Sequence, residues 1–257
     1  MKAKEQLEFL KLLDLERQWI IYPSVTRFSD MGVVRDVSLD GRSCEIVYSS
    51  CSRDEVDQVI KHQVQTARSA GHELEWKVYG HDQPECLGKR LVAAGFEAGE
   101  MEAFMIFLAN KESLGCFGTV HGDIRRVTSN EGLADYRIVR EEVYGSSCVK
   151  EIERYASVLE DHPINMSVYV VHVDEEPAAC GRIHFHESSR FAGLCGGSTR
   201  ERFRNNGLYT QMVAVRIREA LSRGIVNVVV DALPTSEPIL RKRGFESLTY
   251  TQPFRLQ

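Results

Sequence analysis

Three arginines, Arg200, Arg202 and Arg204, stand just before the run Asn205-Asn206-Gly207-Leu208-Tyr209-Thr210. The apolar periodicity that follows predicts an amphipathic helix beginning at the end of this turn. The first amides of a helix have no intrahelical acceptor, and the helix dipole adds partial positive charge at the same place. A turn of this kind, with basic residues in front of it, can hold a polyphosphate. Gly207 permits close approach of a ligand to the backbone because it has no side chain, and the Thr210 hydroxyl is a further donor. The competing explanation is a plain strand-to-helix connection with a surface glycine.

Other residues with chemical potential lie nearby in sequence. The predicted strand 191–199 is rich in small residues, with Gly193, Cys195, Gly196, Gly197 and Ser198. Such a strand packs poorly and makes sense if something extended lies along its backbone, or if it is a bulged strand in a crowded sheet. Cys195 reads as a small packing residue rather than a nucleophile. Asp231 follows the apolar strand 225–230 and is placed at its C-terminal end. His184 and His186 lie two apart, on one side of a predicted strand 178–186, but no third ligand accompanies them and no metal is assigned. Ser236 precedes a short predicted helix that ends in Gly244-Phe245.

The segment 194–246 resembles the acyl-CoA-binding half of the GNAT acetyltransferases. The family signature, Arg/Gln-x-x-Gly-x-Gly/Ala, falls on Arg204 and Gly207, with Tyr209 in the last, usually small, slot. Members of the RGxGLY type share that variant. The run from Ser236 to Phe245 resembles the last helix of the family and its Gly-Phe ending, and the likeness extends over about residues 123–257. The resemblance implies acetyl-CoA as co-substrate. Its pyrophosphate would lie on the amides of Asn205, Asn206, Gly207, Leu208, Tyr209 and Thr210 beside Arg204. Its pantetheine arm would run along Gly197, Ser198 and Thr199, and Ser236 would touch the cofactor or cap its own helix.

The implied reaction is direct attack of an amine on an acetyl thioester in a ternary complex, without an acyl-enzyme. It requires a deprotonated amine, a stabilised oxyanion and a protonated thiolate. Many family members place a tyrosine in the last helix; counted back from Gly244-Phe245, Leu240 stands there. No carboxylate occupies the middle of strand 191–199 either. Asp231, beside the expected thioester, is the remaining candidate to orient the amine or take its proton, though it can equally cap a helix or pair with an arginine. Three alternatives remain open: a different acyl donor such as propionyl- or succinyl-CoA, an O-linked acceptor, and a CoA-binding sensor without turnover. The acceptor is unidentified. In the family it enters between early helices, here about 135–159 and the first half, where Glu141, Glu142, Asp174, Glu175 and Glu176 could attract a cation.

These residues need a scaffold. The pattern predicts a helix over 2–18, with Leu7, Leu10, Leu13 and Ile20 on a core face, and a hairpin over 32–48 turning at Asp40-Gly41. It predicts a helix from Asp54, as cap, to Ala70, stopped by Gly71. A strand 73–79, a helix 86–94 and a strand 101–108 complete the first half. The second half reads strand 124–127, helices to Glu141 from Ser129 or Asn130 and over 149–159, strands 167–173, 178–186 and 191–199, then the helix–strand–helix unit. Segments 54–96 and 208–245 share the order helix, Gly, strand, helix, Gly-Phe. The expected fold is therefore an α/β GNAT fold with mixed sheets in two GNAT-like halves: a degenerate domain 1–112 and an acetyl-CoA-binding domain 113–257. The polar, glycine-containing stretch 110–122 joins them as a connection.

Composition agrees with an ordinary soluble globular protein: 257 residues, 43% hydrophobic, 27% charged. A net charge of −5 gives no global basic field for nucleic acid or an acidic membrane surface. The seven scattered cysteines, without a CxxC, point to thiols in a reducing cytoplasm. The N-terminal stretch lacks the apolar run of a signal peptide.

Overall fold

The computed structural model describes residues 1–119 and 121–256; Val120, within the predicted connection, and Gln257 lie outside the described residues. The chain divides into two compact units. The first comprises Met1–Phe104, Ala232–Pro234 and Ser247–Gln257, and the second Met105–Asp231 and Thr235–Glu246. The units are thus not contiguous in sequence, unlike a division at 112/113. The final strand belongs with the N-terminal residues, and residues 105–108 belong with the second unit.

The first unit begins with α1 (Ala3–Trp19) and a meander of β1 (Val25–Asp30), β2 (Val33–Ser38) and β3 (Ser43–Ser49). Met31 and Gly32, both at positive φ, turn β1 into β2, and Asp40-Gly41 turns β2 into β3 as the sequence predicts. A right-sized crossover, α2 (Val56–Ala70), then leads to β4 (Glu73–Tyr79), parallel to β3. The short α3 (Leu87–Ala93), β5 (Phe96–Ala98) and β6 (Glu102–Leu108) follow. The strand order of this unit is β1-β2-β3-β4-β12, where β12 is Glu246–Leu256 and β5 pairs with it. Its core joins Ile46, Val56, Ile60, Trp76, Leu91 and Phe254.

Two expectations fail here. The N-terminal helix does not lay a leucine stripe on the core: Leu13 is buried, but Leu7 is 53% and Trp19 76% exposed. The residue it buries beside Leu13 is Arg17, whose ion pairs replace apolar packing as the anchor. Nor does Asp54 cap α2. Glu55 stands before Val56 and its carboxylate accepts from both the amide (3.1 Å) and the hydroxyl (2.6 Å) of Ser52.

The second unit repeats the plan. After a 3-10 turn at Ser113–Phe117 come β7 (Asp123–Arg126), α4 (Asn130–Tyr144) and α5 (Val149–Asp161). Ser129 caps α4, accepting from Gly132 N–H at 3.5 Å, and the side chain of Asn130 lies outside the described residues. The stretch 110–122 is more than a connection: Phe117 is buried against Phe107, and Cys116 O accepts from Arg243 at 2.6 Å. The meander β8 (Met166–Val173), β9 (Glu176–His184) and β10 (Phe191–Thr199) leads through α6 (Leu208–Ser222) to β11 (Asn227–Ala232), parallel to β10. The short α7 (Glu237–Arg241) closes the unit. The strand order is β6-β11-β10-β9-β8-β7. Its core includes Tyr136, Val139, Met166, Val168 and Cys180. No disulfide links the cysteines, and no described helix is long and apolar enough to cross a membrane.

Candidate active site

The site of the second unit is opened by a change of register. Phe191–Leu194 of β10 pair with Asn227–Val230 of β11, and there the pairing stops. Just beyond, β10 shifts register against β9 between Cys195 and Ser198, an extra residue that bends the strand. The strands therefore part at Leu194 and Val230. The next residues on the two arms are Cys195–Thr199 and Asp231, so Gly197, Ser198, Thr199 and Asp231 all belong to the opening. Ser198 is buried, and its Oγ, like Thr199 Oγ1, finds no hydrogen-bond partner. A buried hydroxyl without a partner costs free energy. A bound polar chain lying along this strand would supply the missing partners.

The turn leaves β10 through a 3-10 element, Glu201–Phe203, and enters α6 through two left-handed residues, Asn205 (φ 64°) and Gly207 (φ 73°). The first bonded amide is Gln211 N–H, to Gly207 O at 3.1 Å. The earlier amides of the helix start, at Leu208, Tyr209 and Thr210, are the ones without intrahelical acceptors. A Cβ built on Gly207 meets nothing within 4 Å, so the turn is open on that side. Arg204 is exposed and holds Thr199 O through Nε at 3.2 Å. Asn206 Nδ2 reaches Phe203 O at 3.4 Å.

The basic cluster is smaller than its sequence suggests. Arg200 is 7% exposed and committed to Glu142 (2.6 Å), Glu176 (2.9 Å) and Pro177 O (2.8 Å). Arg202 also pairs with Glu176. Arg204 is thus the arginine of the three that is not held by a carboxylate among the described residues. The same pairs consume Glu142 and Glu176, and Glu175 pairs with Arg125 at 2.8 Å, so these carboxylates do not form an open cation site.

The glycines of β10 answer first to protein side chains. A Cβ on Gly197 would lie 2.9 Å from Cε2 of Tyr209, and one on Gly196 (φ 58°) 2.8 Å from the Tyr136 hydroxyl. Tyr209, from the usually small slot of the turn, thus lays its ring on Gly197, and its hydroxyl is hydrogen-bonded to the Ser236 side chain. Burial raises its pKa, against the opposing pull of Arg216 and Ser236. Arg216, two turns along α6, is 1% exposed. Leu240 is also 1% exposed, a core residue of α7.

On the α4/α5 side lies a group that the sequence did not single out. Arg182 bonds the Tyr136 hydroxyl (2.7 Å) and Glu151 (3.0 Å), Tyr155 also donates to Glu151, and Arg140 stands 3.4 Å from that carboxylate. Burial would raise the Glu151 pKa, but Tyr155 and the two guanidiniums outweigh it and hold it below the usual range. The residues come from three separate elements, α4, α5 and β9, so no spacing in the sequence signals them. The histidine pair is corrected. His186 lies beyond β9 and accepts from Ser188 N–H at 3.1 Å, so the two rings do not share a strand face. Burial, with Arg182 and Arg154 adding repulsion, pushes the His184 pKa down to about 3.

The first unit has the same opening. Ser43–Ile46 of β3 pair with Glu73–Trp76 of β4, and β3 then shifts register against β2 around Val47. Here Arg17 bridges the diverging strands. Its Nε donates to Val47 O (2.8 Å), its terminal nitrogens to Asp82 (2.7 and 2.8 Å) and Asp14 (2.8 Å), and its guanidinium stacks 3.7 Å over the Tyr79 ring. Asp14, His81 and Asp82 converge closely enough to hold a metal ion, but the guanidinium already binds both carboxylates and His81 pairs with Asp14.

Comparison with solved structures agrees with this geometry. A GCN5-related N-acetyltransferase from Kribbella flavida superposes with a TM-score of 0.69 at 14% identity, over 98% of this chain and 94% of that one. A tandem GNAT protein from the clavulanic acid biosynthesis pathway gives 0.60 at 13% identity, over 98% and 93%. A functionally unknown conserved protein from Staphylococcus epidermidis gives 0.68 at 14%, over 92% and 95%. No protein-family model matches the sequence, and no curated protein does. The shared architecture along nearly the whole chain, together with two units that each split a parallel strand pair at a bulge, makes this chain a GNAT-fold protein of the tandem kind.

Proposed function

We propose that the protein is an acyltransferase that moves an acetyl group from acetyl-CoA to an amine, and that the second unit alone binds the co-substrate. The observation that carries this reading is the parting of β10 from β11 beside an open helix start, with Ser198 and Thr199 hydroxyls buried and unpartnered in the gap. The amides from Asn205 to Thr210 and Arg204 would receive the pyrophosphate, and Gly197–Thr199 would run beside the pantetheine arm. Asp231, first residue past the last β10–β11 pair, would orient the amine or accept its proton. Attack would be direct, with Cys195, whose Sγ donates to Gly193 O at 3.8 Å, acting as a packing residue rather than a nucleophile. In the first unit Arg17 fills the equivalent gap, and the Glu55 carboxylate just before α2, bonded to Ser52, would repel a phosphate.

The test is calorimetric titration of CoA, followed by thiol release from acetyl-CoA with a panel of amines. One CoA per chain and amine-dependent thiol release are expected. Tight CoA binding with no turnover on any amine would instead identify a sensor, and absence of CoA binding would overturn the reading.

A further inference from the structure

Arg216 is the anomaly of the second unit. It is 1% exposed, and among the described residues its partners are backbone carbonyls: Met212 O (3.1 Å), Arg182 O (2.8 Å) and Cys195 O (3.2 Å). Carbonyls accept from its Nε and Nη1 but leave a net positive charge buried, and such charges are rare without a counter-ion. Burial drives its pKa down, and the neighbour that most opposes this is Tyr209. Both side chains crowd the same spot: a Cβ on Gly197 would lie 2.9 Å from the Tyr209 ring and 3.6 Å from Arg216 Nη2.

The first unit provides an internal control. Helices α2 and α6 end alike, His72 N–H on Ala67 O and Ile225 N–H on Ala220 O, each at 2.9 Å. In that register Tyr209 corresponds to Val56 and Arg216 to Gln63, both fully buried. Gln63 is neutral and spends its amide on Asp30 (2.6 Å) and Arg35 (3.1 Å). The buried charge and the phenol are therefore present together in the unit with the open turn and missing together from the unit whose gap is plugged. A charge kept without a counter-ion in a dry gap is suited to stabilise an anion that forms there only transiently.

Resting on the transferase reading above, we infer that Tyr209 protonates the departing CoA sulfur and that Arg216 stabilises the phenolate left behind. The acceptor nitrogen bonds to the carbonyl carbon, and the carbon–sulfur bond breaks with its electron pair on sulfur. The Tyr209 hydroxyl gives its proton to that sulfur, and the surplus proton on nitrogen passes to solvent or to Asp231. The phenolate is reprotonated from solvent through the Ser236 hydroxyl, so amide and thiol are the products. Leu240, buried in the core of α7, leaves this duty to the tyrosine on α6.

Tyr209→Phe keeps the ring on Gly197 and removes only the proton. It is expected to lower kcat by about 10²-fold with CoA affinity, read by calorimetry, unchanged, and to abolish the solvent deuterium isotope effect on kcat. Arg216→Gln, which copies Gln63, is expected to lower kcat by about tenfold, with Arg216→Lys restoring most of it at the same CoA affinity. Wild-type kcat in Tyr209→Phe, or parallel loss of kcat and CoA binding, would overturn the proposal while leaving the transferase reading standing. A wild-type protein that binds CoA but releases no thiol would overturn both.

Discussion

Helices α2 and α6 each have 15 residues, each cross over between parallel strands, and each end on a left-handed glycine. They differ at their beginnings and beneath their sheet-facing sides. Before α2 the Glu55 carboxylate accepts from the amide and hydroxyl of Ser52, whereas α6 starts at Gly207 with open space around it. Behind the sheet bulge the first unit places an arginine neutralised by Asp14 and Asp82, and the second an arginine held, among the described residues, by backbone carbonyls. The backbone plan is common to both units. What separates them is where charge is balanced: a balanced ion cluster anchors structure, while an unbalanced one can stabilise an anion that forms beside it.

The largest expected effect breaks this contrast at the turn. Gly207→Glu forces a side chain into positive φ and puts a carboxylate where phosphate would lie, giving the second helix the character of the first. CoA binding is expected to fall beyond calorimetric detection, with the thermal transition retained; unchanged affinity would refute the assignment. The reverse experiment targets the plug. Arg17→Ala leaves the largely buried carboxylate of Asp82 without its counter-ion and should destabilise the protein by about 3–5 kcal/mol, measured by urea denaturation, with CoA affinity unaltered. The Asp14 pKa is depressed: its burial would raise it, but the His81 and Arg17 contacts win. Its contribution is therefore present above the ordinary carboxylate range and lost as pH falls below about 3.9.

Asp231→Asn should lower turnover by about 10–100-fold while CoA affinity changes little. Full activity on the true acceptor would leave the base unassigned. His184 supplies a milder, pH-dependent effect. Its folded pKa of about 3 lies below its unfolded value near 6.5, so the unfolded chain binds the extra proton between the two. Stability is full above about pH 6.5 and declines as pH falls toward 3. His184→Gln should flatten that slope in denaturation curves at pH 7 and 5. The smallest effect is expected for Cys195→Ala, whose turnover should stay within about twofold of the parent; an acetylated Cys195 trapped on the wild type would contradict direct transfer.

Much of this was legible beforehand because it is local. Alternation and turn residues marked β2, β3, β4 and β10, and Gly71 marked the end of α2. The turn at Gly207 was legible for the same reason: a left-handed residue before a helix selects glycine, and the amides it exposes are its immediate neighbours. The misreadings share a different cause. Leu7 has the spacing of a core face with Leu10 and Leu13, but spacing does not say which neighbour will cover it. Arg200 and Arg202 look available until Glu142 and Glu176, distant in sequence, are folded against them.

The sequence by itself therefore determined most of the order of elements, though not β1, β5 or β12, and the glycine-containing helix start, since each depends on backbone preferences within a few residues. Tertiary structure decided which unit takes the final strand, β12 in the first rather than the second, because strand pairing is chosen by edges that meet in space. It also decided the state of each gap. Arg17 reaches Asp82 across 65 residues, and Tyr209 reaches Ser236 from a different helix. Electrostatic balance at a buried point is summed over whatever the fold brings within a few ångströms, a sum that cannot be formed along the chain.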